Sequence, residues 1–234
     1  MKSPTSPRST TLRRQDDAAP TPRETEDGVP VDRRRNNSRA QIKRISSELF
    51  FRHGYEATSI RTIVDACGLT PAAFYNHFAT KEALLREIVE EGHETVGRMM
   101  ADALQAASDA PADRLRAIVS AYVRFHTHHQ VFALVANAEY TSLPEPHLSV
   151  MRTERVRLRR IFEEVIEGGL SAGTFALPAV GAEPAAKIAA IAIGDMCLRV
   201  AEWYRSNGAL SSGEVERAYA EYALRLVGAG PRSA

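Results

Sequence analysis

From Ser38 onward apolar residues recur at helical spacing, and strand-like alternation is absent. Ile42, Ile45 and Leu49 stand at i, i+3 and i+7 and predict a first helix over 39–53, stopped by His53-Gly54. Thr58 is placed to cap a short second helix over 59–66, with Ile60, Ile63 and Val64 on its apolar side and a stop at Gly68. Thr70 caps a third short helix, and Pro71 takes the first helical position. Thr80 opens a longer fourth over 81–107. Five further helices are predicted over 112–129, 131–141, 145–171, 183–206 and 212–228. Pro111, the Leu143-Pro144-Glu145-Pro146 turn, Gly168-Gly169 with Gly173, Pro184 and Asn207-Gly208 separate them. Ser211-x-x-Glu214 is a capping-box pattern at the start of the last. The expected fold is all-α, with about nine helices.

Ahead of this helical region, residues 1–37 hold five of the 12 prolines and few apolar side chains. They read as a disordered basic tail, ending in Arg33-Arg34-Arg35. Such a tail is either simply solvated or a basic arm that touches DNA backbone. The formal charge of +1 conceals an asymmetry. Residues 39–86 carry 7 Lys/Arg against 4 Asp/Glu, whereas residues 87–234 carry 15 against 19. A small basic unit that favours phosphate contact thus precedes a larger acidic one that repels it. With two cysteines, Cys67 and Cys197, the chain is no disulfide-stapled scaffold and lacks zinc-ribbon spacing. No apolar run is long enough to span a bilayer, and the N-terminus has no apolar signal-like stretch. The expectation is a cytoplasmic protein that does not meet the membrane.

Two short helices joined by a Gly-containing turn form a helix-turn-helix pattern. Here the pattern runs from Thr58 through Gly68-Leu69-Thr70 to Phe74-Tyr75-x-His77-Phe78, followed by Lys81-Glu82-x-Leu84 and preceded by Phe50-x-x-x-Gly54-Tyr55. This segment resembles the TetR family of bacterial transcriptional regulators. The resemblance implies a three-helix DNA-binding domain, placed at 38–84, and a larger helical domain for ligand and dimerisation, placed at 85–230. A recognition helix presents its N-terminal part to the major groove. Thr70, Ala72 and Ala73 are small residues suited to close approach, while Tyr75, Asn76 and His77 bring hydroxyl, amide and imidazole groups within groove reach. The resemblance assigns Tyr75 and His77 chiefly to the phosphate backbone, with Thr58 and Lys81 beside them at helix N-termini. Arg61, on the open side of the second helix, is a further phosphate candidate. Phe74, Phe78, Ile60, Ile63 and Leu69 read as core, and Cys67 as a small buried residue.

Toward the C-terminus, Gly194-Asp-Met196, Trp203-Tyr204-Arg205, Gly208-x-Leu210-Ser211 and Asn137-Ala-Glu-Tyr140 resemble a branch of the family that controls fatty-acid, aromatic-acid or steroid breakdown in response to acyl-CoA thioesters. Ser206 departs from the branch's usual Pro, and Asp195 intervenes between the Gly and the Met. At 100° per residue, one face of the 183–206 helix carries Ile188, Ala192, Met196, Arg199 and Trp203, and the opposite face Ala190, Gly194, Cys197 and Ala201. The small-residue face is the expected dimer seam, with Tyr219, Tyr222, Ala223 and Leu226 of the last helix. The Arg199/Trp203 face is the expected ligand side, since an Arg within an apolar face is costly unless it meets an anion. Tyr122, Phe125, Phe132, Val135 and Tyr140 complete the expected chamber. Arg152, Arg155, Arg157, Arg159 and Arg160 read as a solvated face paired with Glu154, Glu163 and Glu164, or as a cradle for CoA phosphates.

His126-x-His128-His129 lacks metal-ligand spacing and reads as cations favoured at a helix C-terminus. No nucleophile elbow, P-loop, dinucleotide fingerprint or HExxH motif is present, so no enzymatic activity and no cofactor is expected. The expected function is a ligand-responsive repressor, a homodimer on a palindromic double-stranded operator, released by a small apolar effector such as an acyl-CoA thioester. The alternatives are the same fold sensing a non-CoA apolar compound, or an architectural DNA-binding protein without a ligand.

Overall fold

The computed structural model describes residues 31–179 and 181–229. The chain divides into two units, Met1–Ser38 and Arg39–Ala234, and the second holds every candidate site residue. Of the first unit, residues 31–38 are helical, because α1 (Val31–His53) begins eight residues earlier than expected. Neither Pro nor Gly interrupts the chain between Pro30 and Gly54, so nothing stops the helix from reaching back through the arginines. The rest of the expected tail lies outside the described residues.

After α1 come α2 (Ile60–Cys67), α3 (Pro71–Tyr75), α4 (Lys81–Ala106), α5 (Pro111–His128) and α6 (Gln130–Glu139). A 3₁₀ turn (Tyr140–Ser142) leads to α7 (His147–Ser171), α8 (Ala185–Leu198), α9 (Val200–Trp203) and α10 (Ser212–Leu226). The described residues of this all-α fold contain no β-strand, and none of their helices is long and apolar enough to cross a membrane. The expected caps form at three helices: Thr70 Oγ1 accepts from Ala73 N at 3.2 Å, Thr80 Oγ1 from Ala83 N at 3.0 Å, and Ser211 and Glu214 close a capping box. Each satisfies an orphan backbone donor of a first turn. Gly68 ends α2 with φ +66°, a conformation that side chains with a Cβ rarely adopt.

Two expectations need correcting. Ser59, not Thr58, caps α2: Ser59 Oγ accepts from Thr62 N at 3.0 Å, while the Thr58 hydroxyl donates back to Gly54 O at 2.8 Å. The single helix expected over 183–206 breaks at Arg199. Glu202 N reaches only three residues back, to Arg199 O, which tightens the axis. Gln130 Nε2 then donates to the carbonyls of Ala201 (2.6 Å) and Tyr204 (2.9 Å), tying down the end of α9 from α6.

Two apolar clusters build the second unit. The larger joins α4, α5, α7, α8, α9 and α10, and α10 lies along α5. The smaller contains Ile42, Phe50, Ile63, Val64, Phe74, Phe78, Leu84 and Leu85, the interior of α1 to α3 and the start of α4. It also takes in Val135, Leu143 and Met151, with Phe132, Tyr140 and Leu148 against it. The expected boundary at 84/85 falls inside α4, and the interior of the first three helices is completed by residues more than 40 positions further on.

Candidate nucleic-acid interface and internal chamber

α2 and α3 meet through the Gly68-Leu69-Thr70 turn, and their apolar residues Ile63, Val64, Cys67 and Phe74 are buried. That burial leaves Thr70, Ala72, Tyr75 and Asn76 exposed and Ala73 and His77 partly so, all on or beside one helix turn. Tyr75 is 55% exposed although its ring meets Phe74 edge-on at 5.6 Å. Arg61 projects freely from α2, its Asp65 partner 3.9 Å away. A pair this open contributes little to stability and leaves the guanidinium available.

Thr58 and Lys81 do not join this surface. Thr58 is buried, its hydroxyl committed to Gly54 O. Lys81 Nζ donates to Tyr55 O at 2.8 Å and sits 4.1 Å from the Tyr55 ring centre, so it ties α4 to the loop after α1. A residue not singled out from sequence does more for α3. Arg39 of α1 donates to His77 O at 2.6 Å, pairs with Glu87 of α4 and lies 4.4 Å from the Phe78 ring centre. One guanidinium thus fixes the far end of α3 to both flanking helices. Lys43 of α1 pairs with Glu91 in the same way.

Beyond this region α4 to α8 line a half-open chamber of about 230 Å³. Val96, Phe125, Ala133, Ala136, Leu158 and Phe162 give it an apolar wall. Its polar lining is His93, Tyr122, His126, Asn137, Arg155, Arg159 and Asp195. Burial pushes His126 down to about 4 and His93 below its ordinary value, so both rings are neutral at pH 7. Burial likewise raises the Tyr122 phenol and, next to the chamber wall, the Cys197 thiol. Arg155 Nη1 donates to Asn137 Oδ1 at 3.1 Å, and its guanidinium lies 4.6 Å from the Tyr140 ring centre.

Of the expected ligand residues, Tyr122 and Phe125 line the chamber. Phe132, Val135 and Tyr140 lie on the other side of α6, against the interior of the first three helices. The two faces of α8 are the reverse of the expectation. Ala190, Cys197 and Ala201 are buried inside the protomer with Ala223, because small side chains let α8 and α9 sit tightly on the core, and Gly194 lines the chamber. Met196 is half-buried against the core edge. Arg199 faces out and pairs with Glu202 at 2.8 Å, and Trp203, 43% exposed, stacks on Tyr219 at 6.2 Å and 26°. The anion expected for Arg199 is thus a neighbouring carboxylate. Tyr222, Leu226, Ile188 and Ile191 add to this outer apolar face.

On the Arg-rich face of α7, Arg157 and Arg159 pair with Glu154 and Glu163 as expected, while Arg152 pairs instead with Glu145, in the turn before the helix. Arg155 departs from the pairing, donating to Asn137 instead, and both Arg155 and Arg159 line the chamber. The His triplet diverges: His126 points inward and stays neutral, so it is no helix-end cation, while His128 and His129 are exposed. No group of three His, Cys, Asp or Glu among the described residues could hold a metal. His93 and Asn137 had a visible signal, since each interrupts an otherwise buried helical face: His93 among Val89, Gly92 and Val96, Asn137 beside Ala133 and Ala136.

Residues 46–88 match the family described as bacterial regulatory proteins, tetR family, and residues 108–227 match the tetracyclin repressor-like C-terminal domain. The chain belongs to the TetR family of transcriptional regulators. A tetR-family regulatory protein of Rhodococcus RHA1, solved as a crystal structure, is 32% identical, with a TM-score of 0.74 over 83% of this chain and 98% of that one. The HTH-type transcriptional repressor KstR2 of Rhodococcus jostii is 24% identical over 81% of this chain and 91% of its own. AibR, solved with isovaleryl coenzyme A and operator DNA, shares the fold at 20% identity, with a TM-score of 0.69 over 82% of this chain and 100% of that one. α2 and α3 are therefore the DNA-binding helix-turn-helix of a TetR regulator.

Proposed function

We propose that this TetR regulator is a homodimeric repressor that leaves a palindromic operator when an apolar effector, an acyl-CoA thioester, fills the chamber. The observation that carries the reading is the double use of α6. Ala133, Ala136 and Asn137 face the chamber, while Phe132, Val135 and Tyr140 close the interior of the DNA-binding region. At its end Glu139 Oε1 accepts from Tyr55 N at 3.1 Å, in the loop between α1 and α2. A ligand that moves α6 must disturb both contacts. Its effect equals the difference between its affinities for the operator-bound and released states. Thr70, Ala72, Ala73, Tyr75, Asn76, His77 and Arg61 meet the operator. Two copies of α3 about 34–36 Å apart would enter successive major grooves. The outer face of Ile188, Ile191, Trp203, Tyr219, Tyr222 and Leu226 joins the two copies, with such a dimer acting in the bacterial cytoplasm.

A chamber of about 230 Å³ holds an acyl group and not the coenzyme. The coenzyme then extends out of the chamber, and Arg155 and Arg159 of its lining supply positive charge toward the phosphates. The names of KstR2 and AibR's bound isovaleryl coenzyme A support this class of effector. The test is operator binding by the purified protein, titrated with acyl-CoA thioesters and the matching free acids. Release by a thioester and not by its acid is the expected result; no release by any thioester would refute the reading. Sedimentation of wild type beside Trp203→Glu, expected to be dimer and monomer, tests the outer face.

A further inference from the structure

His93 and His126 are 5% and 2% exposed, and both line the chamber. His93 Nδ1 lies 2.8 Å from Val89 O, and His126 Nδ1 lies 2.8 Å from Tyr122 O. A carbonyl can only accept, so Nδ1 carries the proton in each ring. In a neutral imidazole the other nitrogen, Nε2, then presents a lone pair. Among the described residues no donor reaches either Nε2. Two neutral rings therefore bring two acceptors, without protein partners, to a cavity whose remaining wall is mixed, apolar at Val96, Phe125, Ala133, Ala136, Leu158 and Phe162 and polar at Tyr122, Asn137, Arg155, Arg159 and Asp195.

Each Nε2 opens onto the chamber, so an occupant that displaces water from it must offer a donor in return or leave the acceptor unmet, which is costly. A purely hydrocarbon occupant would leave both lone pairs unmet. Rings held this way favour a ligand that supplies what the protein does not.

We propose that the effector carries a hydrogen-bond donor, a hydroxyl or an N–H, on the part that enters the chamber, and that Nε2 of His93 and of His126 read it. This rests on the chamber being the effector site. It narrows the effector class from acyl groups in general to hydroxylated or N–H-bearing ones. Tyr122, whose phenol can donate as well as accept, does not distinguish them, and Asp195, a further acceptor of the lining, is exposed to solvent, so the selectivity is assigned to the two buried histidines.

The experiment uses pairs of equal size that differ only in the donor. Calorimetric titration of the full-length protein compares 3-(4-hydroxyphenyl)propionyl-CoA with its 4-fluoro analogue, and 8-hydroxyoctanoyl-CoA with 8-fluorooctanoyl-CoA. The hydroxyl member of at least one pair is expected to bind about tenfold to a hundredfold more tightly, the range that corresponds to leaving one acceptor unmet. His93→Phe and His126→Phe, each checked for folding by thermal melt, are expected to lower that ratio while still binding the fluoro member. Equal affinity within both pairs overturns the inference and leaves the effector reading standing. So does a preference that survives in both variants. Absence of binding by all four thioesters overturns the inference together with the reading beneath it.

Discussion

Arg39→Met tests whether the recognition helix depends on its anchor to α1. Methionine keeps most of the apolar stem and removes the donors to His77 O and Glu87 and the contact over Phe78. A hydrogen bond from a charged donor is worth about 1.5–3 kcal/mol when buried. Arg39 is a third exposed, so the lower end applies to His77 O. The ion pair, open to solvent at both ends, adds about 0.2–1 kcal/mol, and the ring contact about 0.5–1 kcal/mol. The expected loss is about 2–3.5 kcal/mol, a fall in Tm of roughly 4–14 °C for a chain of this size. It is measured by thermal and denaturant unfolding at one fixed protein concentration, because dimerisation makes Tm concentration-dependent. Operator affinity should fall about tenfold or more, since the end of α3 would no longer be held. Arg39→Lys should recover the charge and not the simultaneous contacts, and lie between the two. A double-mutant cycle with Glu87→Gln isolates the ion pair, which should contribute no more than about 1 kcal/mol. A variant with wild-type Tm and wild-type operator affinity would refute the anchoring argument.

Three further outcomes rest on packing and charge. Gly169→Ala would place a Cβ 2.0 Å from Phe175 Cδ2, under a ring that is 4% exposed, so stability should drop by about 2–4 kcal/mol in denaturant titration. Adding Phe175→Leu should restore part of that loss. Glu216→Gln removes the charge that accepts from Arg124 at 2.7 and 3.1 Å while remaining 7% exposed, and should cost about 1–2 kcal/mol. Arg124→Met should cost less than Glu216→Leu if the buried carboxylate is the demanding partner. His126 in the folded state stays neutral down to about pH 4, whereas in the unfolded chain it binds a proton near 6.5. Between those values the unfolded state holds more protons, so stability is lost as pH falls from 6.5 toward 4, by up to about 3 kcal/mol. His126→Phe should flatten that limb of the stability–pH curve relative to wild type, and parallel curves would contradict it.

How far the sequence can be read depends on whether a feature is local. Caps at Thr70, Thr80 and Ser211 involve residues three apart, and the chain shows them directly. The cap at α2 is displaced by one residue from its expected place because Thr58 and Ser59 are equivalent in sequence. Only the loop geometry, which brings Gly54 O to the Thr58 hydroxyl, separates them. Tyr75, Asn76 and Arg61 are legible as an open surface because the period of α2 and α3 leaves them nowhere to be buried. Lys81 is not: its role is set by Tyr55 O, 26 residues earlier in the chain. The same limit inverts α8. A helical wheel separates the small face from the Arg199/Trp203 face and does not say which of them meets the core. In the fold the small face is the one that lets α8 and α9 approach α5 and α10 closely, and Arg199 then needs only Glu202 three residues on.

α6 is the element the sequence describes least well, and it explains why the expected ligand residues fall into two groups. Tyr122 and Phe125 on α5 face the chamber, and Phe132, Val135 and Tyr140 do not, although all five have the same aromatic or aliphatic character. Ten residues of α6 make fewer than three turns, so its two faces are only a helix diameter apart. One face is nearly all small, Ala133 and Ala136 with Asn137, and bounds empty volume; the other is bulky and closes the interior behind α3. On the proposed reading, an effector that fills the chamber meets alanines, which have no side-chain rotamers to absorb the pressure, so displacement would pass to the backbone of α6. From there it would reach Val135 and Phe132 within the DNA-binding core and Glu139 at the Tyr55 amide. Gly92 makes the contact closer still: a Cβ there would lie 3.3 Å from Ala136 Cβ, so α4 and α6 touch almost backbone to backbone at the chamber wall. On the proposed reading, helices in such contact move together, so an effector behind Ala136 would act on the start of α4, whose Leu84 and Leu85 share a core with Phe74.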